Sequence, residues 1–376
     1  MLKLLRCTAF VLPVLSVLMP SPAVADLIPP PQPDAKAWLL VDHDSGAVMA
    51  ESRPDEQVEP ASLTKLMTAY LTFKALKTGQ LKPDQTVPVS VKAWKTGGSK
   101  MFIAPDRPVT VEELLKGMII QSGNDACVAL AEVIAGSEEA FAQMMTREAQ
   151  RLGMTGTQYR NANGLTEAGH FTTARDLSLL ARALIRDFPE YYGLYSTLDY
   201  TYNNIKQGNR NRLLTMDRSV DGMKTGHTDA AGWCLVSSAK REDRRVVSVL
   251  LGAPNEKGRI ESSATLLNYG FNAWENARLA SAEEVLATPA VYKGAAASVQ
   301  VGTADDAVVT VPRGQAGKVT REIVITTPVI APIAVGQQLG TLKVAIDGKP
   351  AGEYPLVAKV AIDEGGFFRR IWDTIR

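Results

Sequence analysis

The spacing of hydrophobic positions divides the chain into stretches of different period. Residues 37–41 and 47–51 are short strand-like runs joined by Asp42-His43-Asp44-Ser45-Gly46, which reads as a hairpin. A helix opens near Ser62 and carries Leu66, Met67, Tyr70, Leu71 and the run 73–76, with Gly79 placed to close it. A second helix opens at Thr110-Val111-Glu112-Glu113, a capping box with Thr110 as N-cap and Glu113 at N3. Its apolar run stops at Gln121-Ser122-Gly123-Asn124. Helical spacing resumes from Asp125 to Gly136, again over 137–152 behind Ser137, and over 173–186 with Leu177, Leu180, Ala181 and Leu184. From Val220 the period shortens: 233–239 and 245–252 are strands around a polar turn at 240–243, and 259–276 returns to a helix. Strands first, helices in the middle, and strands with one helix at the close predict an antiparallel sheet with helices packed around it.

After about Ser281 the pattern changes again. Residues 299–301, 308–311, 322–326, 342–346 and 356–362 are short strands between Gly, Pro and Asp turns, which predicts a small all-β domain. The two ends differ from both units. Lys3 and Arg6, the apolar run 8–19 and Ala23-Val24-Ala25 read as a secretory signal, with Asp26 starting the mature chain. That run contains Pro13 and is too short to span a bilayer. At the other end Phe367, Phe368, Ile371, Trp372 and Ile375 share one helical face, with Arg369, Arg370 and Arg376 largely off it, which suits a helix lying in a membrane interface. The expected organisation is therefore a signal at 1–25, an α+β domain at 26–280, a β-sandwich-like domain at 281–362 and an amphipathic helix at 363–376.

Composition narrows the functional classes. The 376 residues are 45% hydrophobic and 22% charged, with 41 Lys+Arg against 40 Asp+Glu, so a nucleic-acid partner is not expected. Cys7 lies in the leader, and Cys127 and Cys234 sit in apolar runs where buried free thiols are expected. Two cysteines make no disulfide framework. The histidines at 43, 170 and 227 are scattered, no Cys/His cluster has metal-ligand spacing, and no Gly-rich phosphate loop is present. No metal and no cofactor are expected.

The chemistry centres on Ser62-Leu63-Thr64-Lys65. Positions i and i+3 of a helix share a face, so a serine hydroxyl meets an amine that can take its proton. The spacing alone is weak, since Ser237 and Lys240 repeat it. Such a lysine must be neutral near pH 7 although a free lysine titrates near ~10.4. Burial and a second cation both lower it, and an acyl-transfer site also needs donors for an oxyanion. Ser122-Gly123-Asn124, the one Ser-x-Asn in the chain, lies at a helix break where side chains can face a cleft. Lys-Thr-Gly occurs at 77–79, 95–97 and 224–226, and only the third copy belongs to the predicted sheet, where Lys224 can project over a neighbouring helix N-terminus.

Ser62-x-x-Lys65, Ser122-x-Asn124 and Lys224-Thr225-Gly226, in that order, form the motif set of penicillin-binding proteins and serine β-lactamases. Residues 121–127, Asn163-Gly164-Leu165, Thr173-Ala174-Arg175-Asp176 and the run 221–228 resemble the low-molecular-weight D-alanyl-D-alanine carboxypeptidases, as does the layout of the whole chain. The resemblance implies a β-lactamase-like catalytic domain in which Ser62 becomes an acyl-enzyme and Lys65 is its base, kept neutral partly by Lys224. It implies that Ser122 and Asn124 complete the polar network, that backbone N–H groups of Ser62 and His227 hold the oxyanion, and that Lys224, Thr225 and Arg210 or Arg259 hold a substrate carboxylate. Arg212 competes with Arg210 for that part. The implied partners are the peptidoglycan stem peptide, β-lactams and the outer face of the inner membrane, reached through the C-terminal helix in the periplasm. A β-lactamase is the nearest rival, although no Glu-x-x-x-Asn segment supplies a deacylating carboxylate. An endopeptidase and a non-catalytic wall-binding protein are the others.

Overall fold

The computed structural model describes residues 28–366. The leader and the aromatic tail at 367–376 lie outside the described residues. A five-stranded antiparallel sheet is built from β1 (Ala37–Asp42), β2 (Val48–Ser52), β3 (Val220–Thr228), β4 (Gly232–Arg241) and β5 (Arg244–Ala253), in the order β2-β1-β5-β4-β3. Chain neighbours β1 and β2 pair as the hairpin that their alternation predicts, and β1 then pairs with β5, which lies beyond the whole middle helical region in sequence.

The period of two in these strands sorts side chains onto two cores. Leu39 and Val41 of β1, with Val236, Val247, Val249 and Leu251, face a helical layer. Trp38 and Leu40, with Leu235, Val246 and Leu250, face the opposite side. The helical layer holds α1 (Lys65–Lys77), α2 (Val111–Ile120), α3 (Asn124–Ala135), α4 (Glu138–Arg151) and α5 (Ala174–Asp187). The capping box read at Thr110 and Glu113 is present, and Gly136 closes α3 in the left-handed conformation.

The far side of the sheet is covered by α6 (Glu256–Ala273), capped by Asn255, whose side chain accepts from Gly258 N. This helix starts before and ends before the span expected from its apolar spacing. Trp274 and Asn276 lie instead in β6 (Trp274–Ala280), which pairs with a strand of the second unit. Asn276 donates to Asp42 and accepts from Thr310, so cross-strand bonds override local helical spacing.

The second unit contains β7 (Val301–Thr303), β8 (Ala307–Pro312), β9 (Val319–Ile325), β10 (Gln338–Ile346) and β11 (Lys349–Ala358). Its four-stranded sheet runs β7-β11-β10-β9, and β8 pairs with β6. The last long strand is read at 356–362 from its apolar end, whereas β11 begins seven residues earlier at the polar Lys349 because backbone pairing with β10 needs no apolar side chain. Residues 363–366, placed at the start of the expected amphipathic helix, are not helical, and Glu364 bridges to Gly294.

Candidate active site

Ser62 stands in a short 3-10 turn, Ala61–Thr64, and α1 proper begins at Lys65. The helix opened near Ser62 therefore starts one turn late, with Ser62 outside the regular hydrogen-bond ladder and its hydroxyl uninvolved in capping. Side chains on a helix lean toward its N-terminus, and Lys65 leans back over this turn. Its Nζ lies 2.8 Å from Ser62 Oγ, 2.7 Å from Asn124 Oδ1 and 2.6 Å from the Asn163 carbonyl oxygen.

Lys65 is 1% exposed. Burial is the main cause that pushes its pKa down to about 8, with help from the Arg210 charge and against the opposing charge of Asp125. Lys224, buried on β3, is also held well below the ordinary lysine range, by burial first and then by the charges of Lys65 and Arg210. The charge of Lys65 thus acts on Lys224, whereas the help expected from Lys224 is not among the causes that lower Lys65, which are burial and Arg210. A neutral amine has two donors and one lone pair. The Asn124 and Asn163 oxygens only accept, so they take both N–H groups, and the lone pair is left facing the Ser62 hydroxyl.

Each of those acceptors is itself fixed. Asn124 Nδ2 donates to the Gly97 carbonyl at 2.8 Å, which turns Oδ1 toward Lys65. The adjacent Asp125 carboxylate accepts from the backbone N–H groups of Met101, Phe102 and Ile103, tying the 97–103 loop to the start of α3. A Cβ on Gly98, at φ +77°, would lie 2.6 Å from Asn124 Nδ2. On the other side, Glu138 accepts from Ala162 N at 3.1 Å and from Asn163 Nδ2 at 3.4 Å, and pairs with Lys92 at 3.0 Å. Ser122, buried at the break between α2 and α3 with φ +71°, lines the cleft beside Ser62.

Strand β3 forms the other wall. Gly226 lies so close to the serine turn that a Cβ there would sit 3.1 Å from the Pro60 carbonyl oxygen and 3.3 Å from Ala61 Cβ. Thr225, Gly226 and His227 face a cleft of about 780 Å³ that also contains Ser62, Arg210 and Arg259. The His227 ring rests on Trp233, with centroids 4.1 Å apart, and Arg259 lies 5.0 Å from the Trp233 centroid. Of the ten residues read from sequence, seven line this cleft, Lys65 joins Ser62 to Asn124, and Lys224 is buried on β3 with its Nζ donating to the Thr225 carbonyl at 3.0 Å. Cys127 and Cys234 are free and buried.

The decoys separate for geometric reasons. Ser237 lies on a strand, where i and i+3 face opposite sides, and its hydroxyl is spent on Ser248 Oγ at 2.7 Å. Lys77-Thr78-Gly79 ends α1 on the surface. The copy at 95–97, set aside as a decoy, does reach the site, but through the Gly97 carbonyl alone. Sequence reasoning assigned no part to that carbonyl, to the Asn163 carbonyl or to Asp125. A backbone acceptor carries no side-chain signature, and Asn163-Gly164 signals only a turn.

Behind the serine turn, Arg160 N donates to His170 Nδ1 at 3.3 Å, so His170 Nε2 carries the proton toward Thr64 Oγ1 at 2.9 Å. Burial, then the Arg160 charge, push this histidine down to about 4. The unfolded chain takes up a proton near pH 6.5 while the folded chain resists until about 4, so the sign is a loss of stability on acidification through that window. Burial, then the Arg245 charge, push His43 down to about 4 as well, so His170→Gln should remove part of the fall in urea midpoint between those pH values, and an unchanged pH profile in the variant would remove His170 as a source.

A serine hydroxyl facing the lone pair of a buried lysine, beside a strand and a cationic cleft, defines a serine nucleophile site for acyl transfer. Residues 25–255 match the family model described as D-alanyl-D-alanine carboxypeptidase, and residues 274–364 match the one described as penicillin-binding protein 5, C-terminal domain. D-alanyl-D-alanine carboxypeptidase DacC of Escherichia coli (strain K12) is 42% identical over 361 residues, covering 94% of this chain and 90% of that protein. Penicillin-binding protein 5 from Haemophilus influenzae superposes with a TM-score of 0.82 at 38% identity, covering 90% of this chain and 100% of that one. Penicillin-binding protein D2 from Listeria monocytogenes, solved in the ampicillin-bound form, has a TM-score of 0.60 at 30% identity, over 65% of this chain and 100% of that one. The chain belongs to the D-alanyl-D-alanine carboxypeptidase family of serine-type hydrolases.

Proposed function

We propose that this enzyme removes the terminal D-alanine from peptidoglycan stem pentapeptides. The observation that carries the reading is the Lys65–Ser62 contact of 2.8 Å at one side of a cleft whose lining includes Arg210 and Arg259. Ser62 Oγ attacks the carbonyl carbon between the last two D-alanines as Lys65 takes its proton. The C–N bond then breaks, D-alanine leaves with a proton on its nitrogen, and water hydrolyses the ester left on Ser62. Ser122, on the lining of the same cleft, passes the proton from Lys65 to the leaving amine, and Asn124 keeps the lysine aimed. Backbone N–H groups of Ser62 and His227 stabilise the oxyanion. The substrate pairs along β3 and sets its terminal carboxylate against Thr225, Lys224, Arg210 and Arg259. β-Lactams acylate the same serine.

The leader and the aromatic tail support a place of action outside the cytoplasm, with the enzyme held peripherally on the outer face of the cytoplasmic membrane by residues 367–376. Incubation with a pentapeptide ending in D-Ala-D-Ala should release one D-alanine per pentapeptide, and labelled penicillin should map to the peptide containing Ser62. Release of no D-alanine would overturn the reading. Deleting 367–376 should move the protein from the membrane pellet to the supernatant, and unchanged sedimentation would overturn the attachment.

A further inference from the structure

Arg259 is a sparsely satisfied cation. Its side chain is 4% exposed and lies over Trp233, and its Nε has no hydrogen-bond partner among the described residues. Of the five donors a guanidinium offers, one reaches an acceptor: Nη2, 3.2 Å from Glu256 Oε1. The same oxygen lies 3.6 Å from Arg212 Nε. Glu256 is 42% exposed and Arg212 69%, so both can swing, whereas Arg259 cannot.

The local chain explains why Arg212 is there. Asn211 is buried and donates to the Gly222 carbonyl at 3.0 Å, which fixes the backbone on either side of it, and Arg210 and Arg212 line the cleft with it. Arg210 makes no ion pair among the described residues and is open to a substrate anion. Arg212 already shares a carboxylate.

We propose that Glu256 is an exchangeable counter-ion. It occupies Arg259 in the free enzyme, and Arg212 draws it aside when the substrate's terminal carboxylate arrives. Two carboxylates on one buried guanidinium repel each other, so moving the resident one aside favours the incoming group, and the nearby exposed cation lowers the cost of that movement. Arg212 is thus a positioning residue for substrate binding, and a ligand without the carboxylate gains nothing from the exchange. Because it takes place at the carboxylate site proposed above, the exchange rests on that reading.

The test compares D-alanine release from a D-Ala-D-Ala pentapeptide with acylation by a penicillin and by its methyl ester. Glu256→Gln should lower KM about three- to tenfold by removing the competing charge. Arg212→Gln should raise KM about two- to fivefold, with Arg212→Lys restoring most of it. In the Glu256→Gln background the Arg212→Gln effect should vanish, because the two residues act on one ion pair. Acylation by the ester should respond to none of these changes. A purely structural part for Glu256, as an acid at the N-terminus of α6, would move the unfolding midpoint and leave the acid-to-ester ratio untouched. A rise in KM on Glu256→Gln, or equal Arg212→Gln effects in both backgrounds, overturns the exchange. If Arg259→Ala leaves the acid-to-ester discrimination intact, the carboxylate site itself is wrong and the exchange falls with it. If Arg259→Ala abolishes the discrimination while the Glu256 and Arg212 variants leave KM unmoved, the exchange alone fails.

Discussion

Alanine at Lys65 is expected to slow acylation of Ser62 by about 10²–10⁴-fold, the range a positioned general base supplies, and alanine at Ser62 to end it. The Lys65 variant should also lose a pH limb. With the lysine pKa pushed down to about 8, the neutral form that accepts the Ser62 proton grows tenfold for each pH unit below that value and levels off above it. Wild-type acylation by a β-lactam should therefore rise with pH up to about 8 and then flatten, whereas Lys65→Ala should be slow and pH-independent across the same interval. Second-order acylation rates measured with a labelled penicillin decide the matter. A rising limb that survives in Lys65→Ala would assign the base to another group. The depressed pKa follows mainly from burial, and the three contacts of Nζ explain why the site accommodates a neutral amine: it has two acceptor-only oxygens and one hydroxyl able to donate.

The second large effect comes from a residue with no side chain. Gly164 has φ +86°, and a Cβ built on it would overlap the Ala61 carbonyl group and approach Thr64 Oγ1 at 2.8 Å. A left-handed non-glycine residue costs about 1–2 kcal/mol from its backbone alone. The overlap adds a displacement that no rotamer change relieves, because the opposing atoms are backbone. The Ser62 turn or the 163–165 loop must move, and Lys65 is bonded to both sides of that contact through Ser62 and Asn163. A shift of about 1 Å costs on the order of 10² in rate, so Gly164→Ala should reduce D-alanine release by roughly that factor. Gly79→Ala is the control. Its φ is +75°, nothing lies within 4 Å of the added Cβ, and it ends α1 far along the helix from Ser62. It should lower the unfolding midpoint by the backbone cost and leave turnover intact. Equal loss of activity in both variants would mean that general destabilisation, and not displacement of the serine turn, is responsible.

Local rules made much of this chain legible. The capping box at Thr110, the closing glycine at Gly136 and the β1–β2 hairpin follow from hydrogen-bonding groups and periodicity within a few residues of each other. Where long-range pairing competes, local reading fails. Trp274 continues a helical apolar pattern and yet lies in β6 with Asn276, since Asp42 and Thr310, distant in sequence, supply Asn276 with better partners. The late start of α1 is of the same kind: Gly226 of β3 and Gly164 of the 163–165 loop, both distant in sequence, lie so close to the serine turn that neither leaves room for a Cβ without a shift.

What the sequence by itself determined is the cast of side chains and the period that puts Ser62 and Lys65 on one helical face. Residue type and spacing are local properties, so they can be read without coordinates. The same spacing at Ser237 and Lys240 shows the limit of that knowledge, because a strand sends the two side chains apart. Only the tertiary structure decided which serine meets its lysine, that Lys65 is buried enough to fall to about 8, and that the Asn163 and Gly97 carbonyls complete the site. Burial and backbone acceptors arise when distant segments pack, and no residue letter encodes them.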